Sequence, residues 1–105
     1  MRDQLRSRQC AQRLKALSEP QRLKIVQCLQ DGPKNVGELS GLLKDSIANV
    51  SHHLRVLRQA KLVRDSKRGK FVLYSLDPEV FRPEVEGRNA GAFDFGCCRL
   101  ELGGQ

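Results

Sequence analysis

Apolar residues recur every three or four positions along the first third of the chain, a spacing that predicts two amphipathic helices. The first is expected from about Asp3 to Leu17. Its apolar side would consist of Cys10, Leu14 and Leu17. The second is expected to start at a cap on Ser18, with Pro20 in its first turn, and to run to about Gln30. Its inward side chains would be Leu23, Ile25, Val26 and Leu29.

Two further helices follow, separated by a very short turn at Lys44 and Asp45. Asn35 can cap the first of them, from about Val36 to Leu43, whose core side would be Leu39, Leu42 and Leu43. Ser46 can cap the second, in which a buried stripe would consist of Ile47, Val50, Leu54 and Leu57. Two short helices joined so tightly predict a helix-turn-helix, whose second member enters the DNA major groove.

After Ala60 the period of the pattern changes from helical to alternating. Two strands are expected, Leu62 to Asp65 and Phe71 to Leu76, around a basic turn of residues 67–70 in which Gly69 supplies the positive φ. One face of the second strand would carry Phe71, Leu73 and Ser75, and the other Val72, Tyr74 and Leu76. A recognition helix followed by a basic hairpin predicts an α+β winged helix-turn-helix fold, mostly helical, with the hairpin as the wing.

Charge supports DNA as the partner. The net charge is +7, and residues 1–76 hold 16 Lys and Arg against 6 Asp and Glu, whereas residues 77–105 hold 3 against 6. Expected contacts with bases and phosphates on the fourth helix are Ser46, Ala48, Asn49, Ser51, His52, His53, Arg55 and Arg58. Those on the wing are Lys67, Arg68 and Lys70. Charge alone also permits a merely solvated surface, RNA or an anionic membrane.

These residues resemble the ArsR/SmtB family of bacterial metal- and stress-responsive repressors over about residues 10–78. The matching segments are Leu17-Ser-Glu-Pro-Gln-Arg-Leu-Lys-Ile, Val36-Gly-Glu-Leu, Val50-Ser-His-His-Leu-Arg-Val-Leu, Leu62-Val and Tyr74-Ser-Leu. The resemblance implies a homodimer whose paired recognition helices read an inverted repeat in double-stranded operator DNA. It also implies an effector that weakens DNA binding.

The chain departs from the family pattern in three ways. Ile47 and Ala48 stand where polar residues are frequent, so readout would rest more on Asn49, Ser51 and His52, with Ala48 able to touch a thymine methyl group. Lys61 replaces the glycine usual after the recognition helix, at a position where a left-handed residue is favoured. The familiar metal sites are missing, because Asn35-Val-Gly-Glu-Leu replaces the cysteine motif and no histidine follows His53.

Cysteines are the candidate effector site. Adjacent Cys97 and Cys98 in the tail suit a soft ion such as As(III), cadmium or lead, because such ions prefer thiolates. In the family the first helix lies near the partner's C-terminal segment and some relatives sense arsenic through tail cysteines. The resemblance therefore implies that Cys10 completes the metal site, within one subunit or across two. A thiol redox switch fits the same residues. Small buried hydrophobes are the other reading, which is favoured for Cys28 and, from its helical spacing with Leu14 and Leu17, for Cys10.

The expected organisation is a DNA-binding and dimerisation domain over residues 1–82 and a tail with the cysteine pair over residues 83–105. Residues 84–92 are expected to form a loop, and the pattern leaves the tail's structure open. No apolar run could span a membrane and the arginine-rich N-terminus lacks a secretory signal, so a cytoplasmic location without membrane contact is expected. No nucleophile–base constellation or phosphate-cradling glycine loop argues for an enzyme or an organic cofactor. The rival class is a winged-helix module that binds protein or RNA.

Overall fold

A computed structural model describes residues 2–83 and 91–103, with side chains from Arg6 onward. The helices are α1 (Arg2–Leu17), α2 (Pro20–Leu29), α3 (Val36–Leu43) and α4 (Ile47–Gln59). The strands are β1 (Val63–Arg68), β2 (Phe71–Leu76), β3 (Phe81–Arg82), β4 (Ala92–Asp94) and β5 (Arg99–Glu101). The order confirms the expected winged helix-turn-helix, with α3 and α4 as the helix-turn-helix and β1–β2 as the wing. None of the described helices is long and apolar enough to cross a membrane.

The junction between α1 and α2 differs from the expectation in its cap. Glu19, not Ser18, caps α2: its backbone is extended and its carboxylate accepts the N–H of Arg22 at 2.8 Å. The Ser18 hydroxyl donates instead to the carbonyl of Lys15, which closes α1. Leu14, expected on the apolar side of α1, is 41% exposed, because α1 packs through Cys10, Ala16 and Leu17.

The helix-turn-helix is capped as expected at both helices. Asn35 and Glu38 form a reciprocal capping box on α3, and the Ser46 hydroxyl accepts the N–H of Asn49 at 3.1 Å at the start of α4. Two predicted core residues are nevertheless outside: Leu42 is 58% exposed and Ile47 is 56% exposed. Residues 46–49 are all exposed, so the first turn of α4 projects beyond the core that buries Val50, Leu54 and Leu57.

The wing is longer than expected and its turn is shorter. β1 and β2 are antiparallel, with Val63 opposite Leu76 and Arg68 opposite Phe71, so only Gly69 and Lys70 form the turn. Gly69 has φ +61°, as its role in a two-residue hairpin requires. Lys67 and Arg68, expected in the turn, are strand residues because both pair across the ladder. At the base of the wing, Lys34 and Tyr74 exchange backbone hydrogen bonds of 2.8 and 3.0 Å, which join the hairpin to the loop before α3.

The link from α4 to the wing passes through Lys61, which adopts a left-handed backbone with φ +61°. The Lys61 N–H donates to the carbonyl of Arg58, and the Leu62 N–H donates to that of Leu57. These bonds satisfy the last carbonyls of the helix while turning the chain into β1. A lysine side chain therefore occupies a left-handed position, where the resemblance to the family implies glycine.

The C-terminal segment forms a second, three-stranded antiparallel sheet in the order β3-β4-β5. Asp77 closes one turn before it, accepting the N–H groups of Val80 and Phe81, and the chain then enters β3. Of the expected loop, residues 84–90 lie outside the described residues and Ala92 belongs to β4. Phe93 is fully buried and joins the same core as Ile25, while Phe95 and Leu102 are also buried in it. The C-terminal sheet is thus packed against the core through Phe93, Phe95 and Leu102.

Candidate DNA-binding surface and thiol cluster

The outward face of α4 carries most of the predicted contacts on the helix. Ser46, Ala48, Asn49, His52, Arg55 and Arg58 are exposed, and Ser51 is half-buried. Ser51, Arg55 and Arg58 border a groove whose opposite wall is Tyr74 of β2. The groove separates the recognition helix from the wing, so it runs between the two elements expected to hold DNA.

Asp45 organises the start of the recognition helix. Its carboxylate accepts hydrogen bonds from the Gln21 amide at 2.9 Å, the Asn49 amide at 3.0 Å and the Ser46 N–H at 2.8 Å. The bonds from Asn49 and Gln21 lower the pKa of Asp45, because they favour the charged carboxylate. Gln21 lies on α2, so Asp45 ties the first turn of α4 to a different helix. The amide of Asn49 is thereby oriented within the protein.

His53 lies on the side of α4 that faces α2. Its side chain is 15% exposed, with Nδ1 3.7 Å from a Glu19 carboxylate oxygen and 3.4 Å from Arg22 Nη1. Arg22 also donates from Nε to the carbonyl of Ala16, at the end of α1. His53 was predicted to contact DNA, and these contacts instead favour a role in orienting α4 against α2.

The wing presents its basic residues on different faces. Successive strand residues alternate, so Val63, Asp65 and Lys67 share one face of the hairpin and Arg68 lies on the other. The first face looks toward α4, because Val63 is buried and the Asp65 carboxylate pairs with Arg58 at 3.2 Å. Lys67, Arg68 and Lys70 are all exposed. The structure therefore places Lys67 on the face of the wing toward α4 and Arg68 on the opposite face.

Three cysteines converge between α1 and the C-terminal sheet. Cys10 is buried in α1 and is placed as a disulfide pair with Cys97, their Cα atoms 6.6 Å apart. The Cys98 sulfur lies 3.8 Å from that of Cys97. The three sulfur atoms lie within 4.8 Å of one another, and among the described residues no other trio of potential metal ligands is so arranged. Cys10 thus joins the tail pair within a single chain, a point that the sequence left open.

A tight turn between β4 and β5 holds the tail cysteines in place. The Asp94 carboxylate accepts the Gly96 N–H at 2.9 Å, the Phe95 N–H donates to the Cys98 carbonyl at 2.9 Å, and Gly96 has φ +84°. The guanidinium of Arg13, on α1, lies 5.5 Å from the centre of the Phe95 ring and adds a second contact between helix and turn. Cys28 is buried in the core and lies outside the trio, as its helical position predicted.

Sequence reasoning missed the residues that support the surface. Glu19, Gln21 and Arg22, at the start of α2, contact Asp45 or His53 from 24 to 34 positions away in sequence, and no local pattern predicts such contacts. Asp45 had a local signal, because an acidic residue directly before a capping serine can accept first-turn N–H groups.

Comparison with known proteins agrees with this geometry. The model of the family described as bacterial regulatory protein, arsR family, matches residues 19–65. Transcriptional repressor SdpR of Bacillus subtilis is 35% identical over 71 residues, which are 68% of this chain and 79% of SdpR. The chain belongs to the ArsR family of transcriptional regulators. A second ArsR-type relative, the cadmium resistance regulatory protein CadC homologue of Staphylococcus aureus, is 40% identical over 69% of this chain and 60% of its own length.

A solved structure supports the assignment of the fold. The homodimeric winged helix-turn-helix DNA-binding domain of Mb0332 from Mycobacterium bovis superposes with a TM-score of 0.70 and 26% identity, over 74% of this chain and 72% of that one. The relatives are transcriptional regulators, so this ArsR-family chain is a DNA-binding regulator and not an enzyme.

Proposed function

We propose that this regulator is a homodimeric repressor that binds an inverted-repeat operator. The observation that carries the proposal is the exposed face of α4 beside the basic wing, across the groove bordered by Ser51, Arg55 and Tyr74. A recognition helix in the major groove with a hairpin on the adjacent backbone is the way this fold docks on DNA. The homodimeric state of the Mb0332 domain supports a dimer for this chain as well.

Selection from a pool of random DNA duplexes tests the operator proposal. The reduced protein should enrich one motif repeated in opposite orientations. Sedimentation equilibrium of the complex should then give the mass of that duplex plus two chains. Arg55→Ala should weaken binding, with Lys24→Ala, exposed on α2, as the matched control. Enrichment of no motif, or equal binding of single-stranded RNA, would identify the chain as a general or RNA-binding module.

We further propose that the cysteine trio is the effector site, and that a thiophilic ion such as As(III), Cd or Pb releases the operator. Support comes from the proximity of three sulfur atoms, since such ions prefer thiolates. The cadmium-resistance role in the name of the CadC homologue supports the same class of effector. The cysteine trio is linked to the recognition helix through α1, which carries Cys10. Gln12 and Arg13 of α1 line a groove together with Gln59 and Lys61, at the end of α4.

A redox switch is the second candidate, and the pairing of Cys10 with Cys97 favours it. Two thiols would lose two electrons and two protons to peroxide, which becomes two molecules of water, as the sulfur–sulfur bond forms. In both cases the effector acts by favouring the form of the dimer that has low DNA affinity. The population of that form then rises according to how much more strongly it, compared with the DNA-binding form, is stabilised by the bound ion or by the disulfide.

Cys98 separates the two candidates. Reduced protein bound to its operator would be titrated with arsenite, cadmium, lead and zinc, and then with peroxide, while fluorescence anisotropy reports release. Loss of Cys98 should weaken release by a three-thiolate ion but leave release by peroxide intact, whereas Cys97→Ser should impair both. Cys28→Ser is the control, because Cys28 is in the core and outside the trio. Equal release of the wild type and a Cys97→Ser, Cys98→Ser double variant by every agent would refute a sensing role for these thiols.

A further inference from the structure

We propose that Ile47, assisted by Ala48, reads the 5-methyl groups of thymine in the operator. Ile47 is 56% exposed and Ala48 is also exposed, at the first two positions of α4. Residues at the start of a recognition helix are those that reach base edges, and the thymine methyl is the apolar feature that the major groove displays. The inference rests on the proposed operator binding and names the chemistry that would specify the sequence.

Among the described residues, Ile47 does not belong to the hydrophobic core. Val50, Leu54 and Leu57 supply the buried side of α4, and each is at most 1% exposed. Ile47 precedes them in a turn that projects from the core, so its side chain faces solvent in the free protein. Contact with another apolar group in the complex would remove that surface from water.

The first turn is also held firmly enough to position this side chain. The Ser46 cap and the bonds of Asp45 to Gln21 and Asn49 fix the backbone on both sides of Ile47. Isoleucine is branched at Cβ and has one strongly preferred χ1 rotamer in a helix. It therefore loses little conformational entropy when it contacts a base.

Several polar side chains on α4 are engaged within the protein instead. Asn49 donates to Asp45, His53 lies against Glu19 and Arg22, and Arg58 pairs with Asp65. Ser51 and His52 have none of these contacts among the described residues and remain for hydrogen bonding to bases. Few polar side chains in the first two turns of α4 are therefore available to contact bases. Apolar contacts with thymine methyl groups would then contribute a larger share of the sequence discrimination.

Substitution of deoxyuridine for thymine tests the inference, because it removes only the 5-methyl group and keeps base pairing. The selected duplex would be substituted at one thymine position of each half-site at a time, and affinity measured for wild type, Ile47→Ala and Leu42→Ala. Leu42 is the matched control, an exposed leucine on α3. Wild type should lose about fourfold in affinity per methyl, and about 16-fold for a symmetric pair, at one or two positions.

Ile47→Ala should bind the thymine duplex more weakly and lose little further at those same positions, whereas Leu42→Ala should respond to deoxyuridine as wild type does. Equal sensitivity of Ile47→Ala and wild type, or insensitivity of wild type at every thymine, would overturn the inference while leaving operator binding intact. Loss of the response in Leu42→Ala too would also overturn it, since the effect would not be specific to Ile47. Failure to select any motif would instead refute the proposed function.

Discussion

Lys67→Ala is expected to reduce the salt dependence of DNA binding more than Arg68→Ala does, although both residues are basic, exposed and adjacent. They lie on opposite faces of β1 because strand residues alternate. Lys67 shares its face with Asp65, which contacts Arg58 of α4, so Lys67 lies on the face of the wing that looks toward the recognition helix. When α4 enters the DNA major groove, the face of the wing toward α4 is the one nearer the adjacent phosphate backbone. We therefore expect Lys67 to contact a phosphate.

The size of the effect follows from the number of contacts. A homodimer has two wings, so Lys67→Ala removes two phosphate contacts, and the slope of log affinity against log salt should fall in magnitude by about 1.8. Between about 50 and about 200 mM salt, the ratio of wild-type to variant affinity should therefore change about 12-fold. Arg68→Ala should produce less than about half of that change in slope.

Anisotropy titrations on one operator duplex at four or five salt concentrations would measure both slopes. Lys24→Ala, which removes an exposed cation on α2, controls for the general loss of charge. Equal slopes for Lys67→Ala and wild type, or a larger change for Arg68→Ala, would show that the face of the wing toward α4 is not the one that meets the backbone.

Three other substitutions test the fold that supports the site. Phe93→Leu should lower the free energy of unfolding by about 1 to 1.5 kcal/mol because Phe93 is fully buried, whereas Phe71→Leu, 51% exposed, should change it by less than about 0.5 kcal/mol; equal urea midpoints would mean that the C-terminal sheet adds nothing to the core. Lys61→Gly should raise stability by about 0.5 to 1 kcal/mol, since Lys61 has φ +61°, and a lower urea midpoint would contradict this explanation. The folded pKa of Asp45 is lowered, so its contribution is complete above the unfolded pKa and is lost as pH falls through the folded pKa. Wild type should thus lose more stability than Asp45→Asn between about pH 5 and about pH 3, and parallel losses would exclude a role for this carboxylate.

Most elements of the fold could be predicted from local sequence. Caps at Asn35 and Ser46, the change of period after Ala60 and the glycine of the hairpin turn act within a few residues, and the structure has the helices and strands that they predict. The wrong predictions of burial concern residues whose exposure depends on whether another element packs over the helix. Leu14, Leu42 and Ile47 have the right spacing for a core face, but they lie where no other described element covers them.

The functional surface, too, was predictable from the sequence only in part. The sequence alone determined a recognition helix, a basic wing and a set of thiols, because residue type and period suffice for these. Only the tertiary structure decided that His53 turns toward α2, that Gln21 of α2 binds Asp45, and that Cys10 meets Cys97 across 87 positions. Such contacts join segments far apart in the chain, and their partners are chosen by the packing of the whole core, which no local pattern encodes.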